Sequence, residues 1–224
     1  HQPKPDVEGS KKKMLELIKK YEIKIVAIGN GTASRESEKF VADLIKDNKL
    51  DLSYAIVSEA GASVYSAGDI ARKEFPDLHV EERSAVSIGR RLLDPLAELI
   101  KIDPKSIGVG QYQHDLPEKD LNQRLDEAVM TCVNRTGADL NTASPELLTH
   151  ISGLNSATSQ AIIDYRNKNG KFTNREQLLK VKKMGAKSYE QCAGFLRIVG
   201  GKQPLDETSI HPESYKLAQE VMKA

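Results

Sequence analysis

The sequence contains no tryptophan, only two cysteines, and no apolar run near the ~18 residues that a membrane-spanning helix needs. The last absence argues against a helical anchor within these 224 residues, and no membrane partner is expected. Two cysteines cannot build a disulfide scaffold. Cys132 and Cys192 each fall inside a helical apolar pattern and read as reduced, buried thiols of a cytoplasmic protein. The opening His1-Gln2-Pro3-Lys4-Pro5 has no apolar signal core and no initiator methionine, so the chain reads as a piece of a longer protein. Charge of one sign is lacking too: the formal net charge is +1, which says little about partners until its distribution is considered. Residues 140–200 carry nine Lys or Arg against four Asp or Glu, whereas residues 1–139 carry 21 against 24. Basic charge is therefore concentrated in one segment, where a polyanion would bind.

With 39% hydrophobic and 29% charged residues the chain is apolar enough to bury a core, and its length suits two domains. Amphipathic helical patterns at 8–20 and 34–46 alternate with the apolar runs Ile23-Lys24-Ile25-Val26-Ala27-Ile28 and Ser53-Tyr54-Ala55-Ile56-Val57. That rhythm predicts a parallel α/β sheet. Further helices are predicted at 66–74, ended by Pro76, and at 84–100, interrupted by Asp94-Pro95. After Gly108-Val109-Gly110 a long helix opens at Pro117 and stops near Gly137. Beyond it the strand signal vanishes, and 145–151, 156–167, 175–181, 187–199 and 212–222 all read as helical.

An internal repeat carries the strongest signal. Leu147-Leu148-x-x-Ile151-x-Gly153-Leu154-Asn155, followed by Ala161-Ile162-Ile163, recurs as Leu178-Leu179-x-Val181-x-Lys183-Met184-Gly185, followed by Gln191-Cys192-Ala193. Each copy is an apolar helix end, a tight hairpin and a second apolar helix. The pattern resembles the helix-hairpin-helix motif of DNA repair, recombination and competence proteins. A turn at φ > 0 aims successive N–H groups outward at the start of the next helix, where an anion meets unpaired donors and the positive helix end. Leu154 and Met184 would anchor the two turns in the core. The expected nucleic-acid contacts are Gly153, Asn155 and Ser156 at the first hairpin, and Lys182, Lys183, Gly185 and Lys187 at the second. Arg166, Lys168 and Lys171 follow the first helix pair and add counter-charge. None of these reads base edges, so binding is expected to tolerate any sequence. Each hairpin keeps one glycine of two. Asn155 tolerates the left-handed region, so the first hairpin is expected to be intact. The second, with Lys183 at the first glycine place, is open to a reading as a packing partner that lost phosphate contact. A purely structural helical repeat competes with both.

Gly29-Asn30-Gly31-Thr32-Ala33-Ser34-Arg35-Glu36, Ser58-Glu59-Ala60-Gly61-Ala62-Ser63-Val64-Tyr65-Ser66 and Gly110-Gln111-Tyr112-Gln113-His114-Asp115 look like the Tex family of bacterial transcription accessory proteins. So do Asp164-Tyr165-Arg166-Asn167-x-Asn169-Gly170-x-Phe172 and His211-Pro212-Glu213-Ser214-Tyr215. The resemblance covers nearly the whole chain. It implies a YqgF-type, RNase-H-like α/β domain over 1–115, truncated at its N-terminus, then a connecting helix over 116–139. An all-α tandem helix-hairpin-helix domain over 140–200 and a tail with a C-terminal helix over 201–224 complete the expected organisation. The implied partners are RNA or DNA and the transcription machinery. The family's N-terminal helical region and its C-terminal S1 RNA-binding domain would lie outside this sequence.

RNase-H-like nucleases hold Mg²⁺ with a carboxylate cluster, because hard cations want oxygen ligands. Glu59 follows the second strand where such a fold can carry an acid, and it is the lone catalytic candidate. The first-strand aspartate would precede His1, and Ser84 stands where a third acid is expected. The expectation is therefore binding without catalysis, metal or cofactor. A metal-dependent nuclease or resolvase is one alternative, and a protein-interaction scaffold for the transcription machinery is another. The turn Gly29, Asn30, Gly31 and Thr32, with Arg35, is a candidate anion site, although it has no Walker lysine. His114-Asp115 has no second His or Cys nearby and makes a poor metal site. Strands of the full fold that precede residue 8 would leave one side of Ile23 to Ile28 unpaired. Self-association at that edge, or its cover by residues 2–7, is expected.

Overall fold

The computed structural model describes residues 6–108, 110 and 113–223. Val109, Gln111 and Tyr112 of the motifs above, and residues 2–5 of the expected edge cover, lie outside the described residues. The chain divides into two compact units, His1–Leu93 and Asp94–Ala224.

In the first unit, α1 (Val7–Tyr21) starts where the Asp6 carboxylate accepts the Gly9 N–H, and ends where Glu22 turns left-handed at φ 51°. That turn shortens the first strand. The Ile23 N–H bonds back to the Ile18 carbonyl, and β1 runs Ile25–Gly29 rather than from Ile23. α2 (Ser34–Asn48) buries Val41 and Leu44 and supplies the crossover that a parallel pair needs. β2 (Ser53–Val57) then lies parallel to β1, with Ile25 opposite Ser53 and Gly29 opposite Val57. The helix expected at 66–74 is two, α3 (Ala62–Ala67) and α4 (Asp69–Glu74), because Gly68 leaves the helical region at ψ 167°. α5 (Val80–Leu93) packs on both strands and on α3, and its buried Arg91 donates to the carbonyls of Ser58 and Ala60.

The hydrogen-bond ladder fixes which side of β1 is open. The Lys24 carbonyl accepts the Ser53 N–H, and the Asn30 N–H donates to the Val57 carbonyl. Even-numbered residues of β1 therefore turn their backbone groups toward β2, and Ile25, Ala27 and Gly29 turn theirs the other way. Among the described residues no strand pairs with that second edge. Asp6 and Val7 do not cover it as a strand, since they cap and open α1.

The second unit opens with α6 (Pro95–Leu99), whose cap Asp94 accepts the Ala97 N–H at 3.0 Å and the Thr142 hydroxyl at 2.6 Å. α7 (Pro104–Ile107) and a 3-10 turn at Gln113–Asp115 lead into α8 (Glu118–Thr136). The units thus part between Leu93 and Asp94, not near residue 115. The reason is packing: Ala97 of α6 and Val133 of α8 join one core with Leu147, Leu148, Ile162, Phe172, Leu178 and Leu196. β3 (Ala138–Asp139) follows α8 and pairs in parallel with a later strand, so this half is not strand-free as expected. Two residues per strand are too few to show alternation in a sequence.

α9 (Pro145–Thr149), α10 (Ser156–Asn169) and α11 (Ala186–Cys192) carry the two hairpins. Arg175–Lys180 is a 3-10 turn rather than the expected α-helix. α11 stops at Cys192, well short of residue 199, and β4 (Leu196–Arg197) follows a further 3-10 turn. There the Arg197 carbonyl accepts the Leu140 N–H and the Ile198 N–H donates to Asp206, so the backbone is committed to neighbours that a helix would deny it. 3-10 turns at Pro204–Glu207 and Pro212–Ser214 precede α12 (Tyr215–Lys223). Both cysteines are free, but only Cys192 is buried; Cys132 lies on the exposed face of α8, correcting the expectation for it. Among the described residues no helix is long and apolar enough to cross a membrane.

Candidate nucleic-acid interface

The two hairpins share one backbone shape built from different residues. In each, the central apolar residue closes the same turn: the Leu154 N–H donates to Ile151 and the Met184 N–H to Val181, both at 3.1 Å. The residue before it is left-handed in both copies, Gly153 at φ 84° and Lys183 at φ 69°. Lysine holds a conformation that costs a side-chain-bearing residue about 1 kcal/mol, so the second hairpin keeps the motif's geometry despite the lost glycine. Met184 is buried in the core and Leu154 packs against it.

The start of the following helix separates the copies. Asn155 is extended, at φ −131°, and not left-handed as expected. Its Oδ1 accepts the N–H groups of Ala157 and Thr158 at 3.0 Å each, while its own N–H donates to the Thr158 hydroxyl at 2.8 Å. Asn134 accepts the Ser152 N–H as well. The donors that would face an anion at the first hairpin are thus largely satisfied by the protein itself. Gly153 is also enclosed, since a Cβ there would lie 2.6 Å from that of Gln191 and 3.2 Å from the Ser188 carbonyl oxygen. At the second hairpin no side chain caps α11, and a Cβ on Gly185 would meet nothing within 4 Å. Open space, uncapped donors and the exposed Lys182, Lys183 and Lys187 coincide there. The uncapped donors and open space thus lie at the second hairpin, whereas the sequence favoured the first.

Other expected contacts scatter. Ser156, Lys168 and Lys171 are exposed. Arg166 is half-buried, donates to the carbonyls of Leu140 and Ala143 at 2.9 and 3.0 Å, and has its pKa lowered by burial. Through one guanidinium nitrogen it braces the loop at Leu140 to Ala143. In the first unit the turn Gly29, Asn30, Gly31 and Thr32 is not an open anion cradle. A Cβ on Gly31 would meet the Glu59 carboxylate directly, and one on Gly29 would come within 2.4 Å of it. The Asn30 side chain accepts the Glu59 N–H, fixing that carboxylate over the turn, with Arg35 exposed nearby in sequence. Glu59 and the candidate anion site are therefore one feature, with the acid where the phosphate was expected. Among the described residues no group of three or more His, Cys, Asp or Glu is placed to hold a metal, the His114-Asp115 turn included.

Residues 1–93 match the Tex protein YqgF-like domain, residues 133–197 a helix-hairpin-helix motif, and residues 203–224 an HHH domain. The uncharacterized protein YdcI of Bacillus subtilis is 52% identical over 100% of this chain and 31% of its own length. The transcriptional accessory protein Tex of Neisseria gonorrhoeae is 56% identical over 92% of this chain and 27% of its own. This chain belongs to the Tex family. Similarity extends to the S1 RNA-binding domain-containing protein 1 of Homo sapiens, 44% identical over 95% of this chain and 26% of that protein. The chain spans less than a third of the length of these relatives.

The YqgF-like match ends at the same residue as the first compact unit, Leu93. Between the two helical matches lies a network that sequence reasoning missed. Arg175, 1% exposed, donates to the carbonyls of Leu196, Thr208 and Ile210 and to the Tyr215 hydroxyl, and its backbone N–H donates to the buried Asp206 carboxylate. The Tyr215 hydroxyl donates to Asp206 in turn. One arginine at the start of the second repeat thus pins the tail to it. Asn141 does the same for the loop after α10, pairing with both backbone groups of Phe172.

Proposed function

We propose that this chain binds the phosphate backbone of RNA or DNA, without sequence preference, through its second hairpin. The observation that carries the reading is the uncapped start of α11 at Gly185, open to solvent and flanked by three exposed lysines, beside a first hairpin whose donors are largely occupied. Backbone N–H groups supply geometry and the lysines supply charge, and neither distinguishes one base from another. The relatives' names support a place in transcription. The reading includes no chemical step: the Glu59 carboxylate lies over the Gly29 to Gly31 turn, and among the described residues it belongs to no group of three or more metal-ligating side chains.

The test is a salt titration of binding to mixed-sequence RNA and DNA, each single- and double-stranded. Replacing Lys182, Lys183 and Lys187 together with Glu is expected to lower the magnitude of the slope of log K against log salt by about three on duplex DNA. Gly185→Val should weaken binding while leaving the melting curve nearly unchanged, because space for the side chain exists in the free protein. A parent chain that shifts no nucleic acid would favour the scaffold reading instead.

A further inference from the structure

A second basic feature lies apart from the hairpin lysines. A cavity of about 490 Å³ opens between the end of α8, α11 and the tail, and Arg135, Arg197 and His211 line it with Asn134 and Gln191. Arg197 is half-buried, and burial lowers its pKa. One of its nitrogens donates to the Gly194 carbonyl at 2.7 Å, and the guanidinium lies so close over Gly137 that a Cβ there would be 2.8 Å from its central carbon. Neither Arg135 nor Arg197 has an ion-pair partner among the described residues. His211 bonds to the Glu190 carbonyl at 2.8 Å and sits 3.5 Å from Glu213, and the Glu190 residue also lines the cavity. A half-buried guanidinium with no carboxylate of its own leaves positive potential in a concave site, which an anion would neutralise.

We propose that this cavity is a second phosphate seat for the nucleic acid held by the second hairpin, standing in for the closed first hairpin. Resting on the binding reading above, the inference adds a site that the motif itself does not contain. Position decides for a nucleic-acid phosphate over another anion. Asn134, which lines the cavity, accepts the Ser152 N–H of the first hairpin, and Gln191, which also lines it, packs against Gly153. The seat therefore adjoins the first hairpin, where a tandem motif would otherwise offer its second set of donors.

The experiment compares the full chain with Arg135→Gln, Arg197→Lys and the double variant Arg135→Gln/Arg197→Gln, using mixed-sequence 20-base-pair DNA and 20-nucleotide RNA. Melting curves are recorded for each. Arg135 is exposed, so its variant is expected to keep the parent melting temperature and to lose about one unit of salt slope on duplex DNA. Arg197→Lys keeps the charge and should keep the slope, and the double variant should lose about two. Should the double variant melt early, Arg135→Gln alone decides. An unchanged slope in Arg135→Gln, while the lysine variant of the second hairpin loses binding, overturns the seat and leaves the hairpin reading standing. No binding by the parent overturns both. A parallel titration with inorganic phosphate separates sources: stabilisation of the parent but not of Arg135→Gln, with slopes unaltered, would assign the cavity to a free phosphate and refute the nucleic-acid seat.

Discussion

Lys183 and Gly153 hold the same left-handed place in the repeat, yet they predict opposite responses to substitution. Lys183→Gly removes a Cβ from an unfavourable region, so it is expected to leave stability unchanged or raise it by up to about 1 kcal/mol. The same change should lower the salt slope by about one, which separates backbone shape from charge at a single position. Gly153→Val combines left-handed strain with a clash against Gln191 and should cost about 2–4 kcal/mol in urea denaturation. A fully stable Gly153→Val would contradict the packing described for the first hairpin. Asn155 shows the limit of reading such residues from sequence. Asparagine serves both left-handed turns and helix caps, and the Asn155-x-x-Thr158 spacing that marks the cap looks like any polar pair until the turn is seen.

At the scale of elements, the long amphipathic helices and the pair β1 and β2 are legible because their apolar periodicity spans several turns or residues. β3 and β4 are not, and neither is the role of Arg175, since a buried arginine carries the same letter as a solvated one. Its network predicts that Arg175→Met, which removes the cation beside buried Asp206 and leaves the carbonyls of Leu196, Thr208 and Ile210 without their donor, costs about 3–5 kcal/mol. The same region predicts alkaline instability. Burial, with the hydrogen bond to Asp206, raises the Tyr215 pKa; burial, with Glu176, raises that of Tyr189; and burial pushes the Cys192 thiol up to about 12. In each group the folded state holds its proton more tightly than the unfolded chain does. The stabilisation is complete below the unfolded values, about 8.5 for a thiol and 10 for a phenol, and is lost as pH rises toward the folded ones. Urea midpoints should therefore fall between about pH 9 and 11. Tyr215→Phe should shallow that fall while losing about 1 kcal/mol near pH 7, and midpoints flat across the window would contradict the burial of these groups.

For the whole molecule, the open edge of β1 carries the prediction that matters for handling the chain. Ile25, the first residue of β1, is 45% exposed, and Lys24, immediately before the strand, is the charged residue nearest that edge in sequence. Edge pairing with a second copy is expected, seen as a sedimentation coefficient that rises with concentration. The informative proline goes at position 27, whose N–H faces the open side; proline at 26 would instead break the ladder to β2. Ala27→Pro should hold the chain monomeric, and a parent that is monomeric throughout the series would remove the proposal.

The boundary at Asp94 has a consequence for cleavage. Leu93 is 80% exposed at the end of α5, and the next residue caps α6 and ties it to Thr142. A protease that cuts after leucine should nick there early, releasing a helical fragment that begins at Asp94 and keeps both bonds of its carboxylate. The same fragment started two residues later, at Leu96, loses the cap and should unfold at lower urea by about 1 kcal/mol.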